Sequence, residues 1–106
     1  MEKGYKCILA IVNNGFSEEA MEAARAAGAR GGTILHGRGT MSKEAEKFFN
    51  ITIQPEKEIV MIIARAAGVD AILTALYRAV GTATNAQGVV FAIPVDEAIG
   101  LGGKTE

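Results

Sequence analysis

The sequence predicts an α+β fold of the ferredoxin-like kind, βαββαβ, with a four-stranded antiparallel sheet and two helices on one face. Three observations carry this. Strand-like segments occupy residues 5–12, 33–38, 58–64 and 89–93, and helical segments at 17–27 and 70–80 fall after the first and third of them. In that order two crossovers place both helices on the same side of the sheet. Finally, the first, third and fourth strands are apolar on both faces, whereas an antiparallel sheet with one wet face should alternate.

In chain order, residues 5–12 send Tyr5, Cys7, Leu9 and Ile11 one way and Lys6, Ile8, Ala10 and Val12 the other, and Asn13-Asn14-Gly15 ends the run with turn formers. Ser17 is the expected N-cap of the first helix. Glu18 and Glu19 lie in its first turn, Phe16 and Met21 are spaced as a hydrophobic staple, and Gly28 stops it. Gly31-Gly32 leads into the second strand, which leaves through Gly37-Arg38-Gly39-Thr40. Residues 39–50 read as a loop with one or two helical turns at 42–47 and with Phe48-Phe49 anchored on the core. Ile51-Thr52-Ile53 is extended and Pro55 interrupts it.

The third strand, 58–64, is the most hydrophobic segment of the chain. Asp70 is the expected cap of the second helix, whose Ile72, Leu73, Leu76, Tyr77 and Val80 recur at helical spacing before Gly81. Pro94 closes the fourth strand, Asp96 caps a single turn over 97–99, and residues 100–106 form a polar, glycine-rich tail.

With 106 residues, half of them hydrophobic, the chain suits one domain over 1–106. Eleven basic against twelve acidic side chains give a net charge of −1, so electrostatics offers no case for nucleic acid or an anionic membrane. The single Cys7 excludes an internal disulfide and fits a reduced compartment; with no apolar run of membrane-spanning length, the expectation is a cytoplasmic protein without membrane insertion. Leaving a whole apolar sheet face in water would cost many kcal/mol, so that face is expected to meet copies of the same chain in a closed homo-oligomer.

The stretch from Gly31 to Thr40 is the candidate ligand site. Glycines on both sides of Arg38 allow close backbone approach to a small anion that a guanidinium then meets; two turns around a solvated arginine are the alternative. The second glycine-bounded loop, 81–88, precedes the fourth strand.

The element order, the double glycine before the second strand, the Gly-Arg-Gly-Thr exit and the loop from Thr82 to Gly88 before Val89-Val90-Phe91-Ala92-Ile93-Pro94-Val95 resemble the PII family of nitrogen-regulatory signalling proteins over essentially the full chain. The resemblance implies a homotrimer with three sheets facing its centre and an adenine nucleotide (ATP, ADP or AMP) in clefts between subunits. It also implies a loop, here residues 39–54, that contacts a target enzyme or membrane transporter. By position it assigns ligand binding to Gly31 and Thr33 at the start of the second strand, to Gly37, Arg38, Gly39 and Thr40 at its exit, and to Gln87 and Gly88. Three departures stand out. The loop ends Ala86-Gln87-Gly88-Val89 instead of Gly-Asp-Gly-Lys, Gly100 and Gly102 replace two arginines, and the target loop is short and lacks the modifiable tyrosine.

An amino-acid-sensing or other small-molecule module of ferredoxin-like fold, with its site at Asn13-Asn14-Gly15, is the second reading. An enzyme is not expected: His36 is the only histidine, and no Ser-His-Asp order, metal-ligand cluster or phosphate-binding Walker loop occurs. No cofactor is required by any motif.

Overall fold

The computed structural model describes residues 2–40, 47 and 55–101. Its elements are β1 (Tyr5–Asn13), α1 (Ser17–Ala26), β2 (Thr33–Arg38), β3 (Glu56–Arg65), a 3-10 turn (Ala66–Gly68), α2 (Val69–Val80) and β4 (Val89–Val95). The strands form one antiparallel sheet in the order β2-β3-β1-β4. This is the predicted ferredoxin-like arrangement.

The pairing of Ile8 with Ile62 and Ala10 with Val60 sets one face of the sheet against the helices. Ile8, Ala10, Val12, Val60 and Ile62 are buried there beneath Ala20, Met21 and Ala24 of α1 and Val69, Ile72, Leu76 and Val80 of α2. Alanines on α1 keep its axis close to the sheet. At Gly32 an added Cβ would lie 2.9 Å from Met21 Sδ and 3.0 Å from the Met61 carbonyl, so β2 can begin only where no side chain intervenes.

The opposite face is formed by Leu9 and Ile11 of β1, Ile59, Met61 and Ile63 of β3, Leu35 of β2, and Val89, Phe91 and Ile93 of β4. Its edge residues are open: Val89 is 54% exposed and Ile93 46%. The apolar character on both sides of the strands is thus a property of the fold, and α1 and α2 both cover the same side.

Several local expectations are corrected. Ser17 is not a cap that satisfies its own helix: α1 begins at Ser17 after Phe16, which makes no side-chain cap bond. The acceptor comes from β3 instead. Glu58, only 8% exposed, takes the N–H of Gly15 at 2.7 Å, the N–H of Ser17 at 3.2 Å and the Ser17 hydroxyl at 3.1 Å. A carboxylate at a helix start satisfies N–H groups the helix leaves over and meets the positive end of its dipole. Asp70 does not cap α2 but lies in its first turn, because the 3-10 turn moves the helix start to Val69.

β3 starts two residues earlier than expected, and Pro94 lies within β4. Being an edge strand, β4 can carry a residue that donates no ladder bond. No helical turn forms at 97–99; instead Ala98 bridges Glu2 in an antiparallel pair. The expected turns at 42–47, the Phe48-Phe49 anchor and the extended 51–53 segment fall outside the described residues except Lys47, which is helical.

An added Cβ at Gly88 would sit 2.1 Å from the Val80 carbonyl oxygen, so Gly88→Ala is expected to destabilise by about 1–3 kcal/mol in denaturant unfolding. At Gly31 a Cβ meets nothing within 4 Å, and Gly31→Ala should change stability by less than about 0.5 kcal/mol. For Glu58, burial alone would raise the carboxyl, but the Gly15 N–H, the Ser17 hydroxyl and N–H and the charge of His36 outweigh it and hold the group below the ordinary range. A depressed folded-state pKa gives stability that is present above the unfolded value of about 4.3 and is lost as pH falls through the folded value. The acid limb of the stability–pH curve should therefore flatten in Glu58→Gln.

Candidate functional site

At one end of the open sheet face, four backbone segments converge. The end of β1, the start of β3, the exit of β2 and the loop before β4 meet around the side chain of Asn13. Asn13 pairs with Lys57 across β1 and β3, and Lys57 pairs with Gly37 across β3 and β2, so all three share the open face. The Lys57 ammonium donates to Asn13 Oδ1 at 2.6 Å. An ammonium can only donate, so this bond fixes the amide orientation and turns Nδ2 toward the loop. There Nδ2 donates to the Asn85 carbonyl at 3.1 Å and reaches Gln87 Oε1 at 3.5 Å. Asn13 is 3% exposed, so its amide is a buried and satisfied link between strand and loop.

The β2 exit crosses this cluster closely. A Cβ on Gly39 would lie 2.8 Å from Lys57 Cε, and one on Gly37 would lie 3.2 Å from Ile59 Cδ1. The aliphatic stem of Lys57 thus lies along the backbone that follows β2, which the Gly39 N–H ties to the Pro55 carbonyl at 2.6 Å. The loop is shaped by its own threonine: the Thr84 hydroxyl donates to the Gly81 carbonyl at 2.8 Å and accepts the Ala86 N–H at 3.2 Å. Gln87 takes a left-handed backbone at φ 49°, and the Gly88 N–H closes the loop on the Val80 carbonyl at 2.8 Å. A cation, two amides and glycine backbone in one corner, bordered by Ile11, Ile59 and Val89, can hold an anionic group beside an apolar one.

The sequence-predicted residues divide. Gly37, Gly39 and Gln87 come together here around Lys57 and Asn13, with Gly88 behind them at the end of the loop. Arg38 is exposed, opposite Glu56 at the end of β2, and Thr40 follows it. Gly31 and Thr33 lie at the other end of β2, with Thr33 paired to Met61. Four residues of strand, about 13 Å, separate Thr33 from Gly37, so one chain does not gather the whole predicted set. Lys57 was not singled out from the sequence, and Asn13 only in the alternative site at Asn13-Asn14-Gly15; the signal available was a lysine and an asparagine at strand termini, which only the β1–β3 register places side by side.

The other titratable candidates are placed as well. His36 is exposed on the helix side of β2, paired with Glu58. Cys7 is buried on the open face between Ile63 and Ile93, and desolvation raises its thiol pKa, which disfavours the thiolate. Among the described residues no group of three or more His, Cys, Asp or Glu is arranged to hold a metal ion, and no helix is long and apolar enough to cross a membrane.

Comparison with known proteins agrees with this architecture. The structure of Arabidopsis thaliana PII bound to citrate superposes with a TM-score of 0.69 at 19% identity, covering 94% of this chain and 82% of that one, a likeness of fold. No curated protein matches it in sequence. The family described as Nitrogen regulatory protein P-II matches residues 5–104, nearly the whole chain. The chain belongs to the nitrogen regulatory protein P-II family.

Proposed function

We propose that this chain is a PII-type regulator that works as a homotrimer, binds a small anionic ligand in clefts between subunits, and reports through residues 39–54 to a partner enzyme or membrane transporter of nitrogen metabolism. The observation that carries the reading is the pairing of an apolar sheet face that α1 and α2 leave open with the Lys57–Asn13–Gln87 corner at its end. The face supplies the reason to associate, and association would bring a neighbour's surface up to the corner. That also accounts for the division of the predicted residues, since Gly31 and Thr33 of one subunit can meet Gly37, Arg38, Gly39, Thr40, Gln87 and Gly88 of the next.

An adenine nucleotide (ATP, ADP or AMP) is the first ligand to test. The loop lysine of the family is Val89 here, and Gly100 and Gly102 stand where the family has arginines, so Lys57 carries the charge at this corner. The amino-acid-sensing alternative is less well supported at Asn13-Asn14-Gly15, because the N–H groups of Gly15 and Ser17 are already taken by Glu58.

Sedimentation should find a trimer of the 11.1 kDa chain at micromolar concentration, and Phe91→Glu, on the open face, should convert it to a folded monomer. A wild-type protein that sediments as a lone folded chain would sink the inter-subunit site. In equilibrium dialysis against ATP, ADP, AMP and a panel of amino acids, nucleotide should be retained. Lys57→Gln should weaken that retention about tenfold, the loss of roughly one charge-assisted hydrogen bond. Retention of amino acids alone would favour the alternative.

A further inference from the structure

Among the described residues the sheet ends in two edges, β2 on one side and β4 on the other. Every neighbouring pair is antiparallel, so these two edges run in opposite directions. Each is flanked by a groove on the helix side. The groove at β4 is lined by Val90 and by Leu73, Thr74, Tyr77 and Arg78 of α2. The groove at β2 is lined by Ile34 and by Glu18, Met21, Glu22 and Arg25 of α1. The register sets the two at one height. Val90 pairs with Ala10, Ala10 with Val60, and Val60 with Ile34, a single row across the sheet.

The grooves are also complementary. Tyr77, 56% exposed, borders Val90 at one, and Ile34, 41% exposed, borders the buried Met21 at the other. Arg78 is the charged group of the first, whereas the second has two carboxylates, Glu18 and Glu22, beside Arg25. None of Arg78, Glu18 and Glu22 forms an ion pair with another described residue. We infer that these grooves bind each other: the β4 edge of one copy docks on the β2 edge of the next, Tyr77 against Ile34 and Met21, Arg78 against Glu18 and Glu22. A rotation about an axis along the strands carries one groove to the height of the other and keeps the strand directions. β4 of one copy then lies antiparallel to β2 of its neighbour, as every pair within the sheet does. The contact joins two different patches, and such a heterologous contact closes into a ring when the rotation does. A foreign partner would need only one groove; two of opposite charge, level with each other on one molecule, fit a second copy of this chain. The inference rests on the proposed self-association and adds to the open face a second contact, one that depends on charge.

The test is sedimentation of the full chain with charges reversed on either groove. Arg78→Glu sets like charges against each other and should raise the subunit dissociation constant at least about tenfold. Glu18→Lys combined with Glu22→Lys should do the same. All three changes in one chain exchange the signs and should restore association to within about threefold of wild type, a recovery that a misfolded variant could not show. A wild-type chain that sediments alone removes the self-association reading and this contact with it. A wild-type oligomer that Arg78→Glu leaves intact overturns the contact alone and gives the grooves to another partner. So does failure of the combined variant to reassociate while its amide NMR spectrum shows it folded.

Discussion

Two neighbouring side chains at the start of β3 hold one end of this molecule together. Because a strand alternates its faces, Glu58 turns toward the helices and Lys57 toward the open sheet. Glu58 gathers Gly15 and Ser17 and so sets the angle at which α1 leaves the sheet. Lys57 gathers Asn13, and through it Asn85 and Gln87. The turn after β1 is thereby clamped from both faces by one dipeptide. Neither bond is exposed enough to be exchanged freely for water, so losing either leaves buried polar groups without partners.

That clamp also links the parts a regulatory protein needs to connect. The exit of β2 lies against the Lys57 stem, and residues 41–54 leave and return on either side of it at Thr40 and Pro55. The loop before β4 is tied to β1 by the Asn13 side chain and by the Asn13 N–H, which donates to the Ala86 carbonyl at 2.9 Å. A ligand engaging the ammonium would compete with Asn13 for it, and through Asn13 would act on the loop. Such a change can signal only to the extent that the ligand favours one arrangement over the other.

The two ends of the sheet differ in chemistry. One has a single ammonium with amides and glycine backbone; the other has two guanidinium groups, a phenol ring and apolar walls. Between them runs the face of Leu9, Ile11, Met61, Phe91 and Ile93, opposite the face on which α1 and α2 pack. Its continuity follows from apolar residues at both phases of the alternation, a pattern that burial on one side alone would not require.

The sequence by itself determined the element order, the sidedness of the helices and the apolar character of both sheet faces, because periodicity and turn residues act over a few positions. It also marked Gly37 and Gly39 as the glycines on either side of Arg38, and the family resemblance added Gln87 and Gly88 by position. What the tertiary structure decided was who meets whom. The capping of α1 by Glu58 spans 41 residues, and the bond from Lys57 to Asn13 spans 44. Ser17 looked like a cap because its chemistry is right, but a buried carboxylate from another strand, acceptor-only and charged, is the better acceptor for two N–H groups at a helix start. Strand register, fixed by the apolar pattern of the whole sheet, is the physical quantity that brings these pairs together, and no local stretch of the chain contains it.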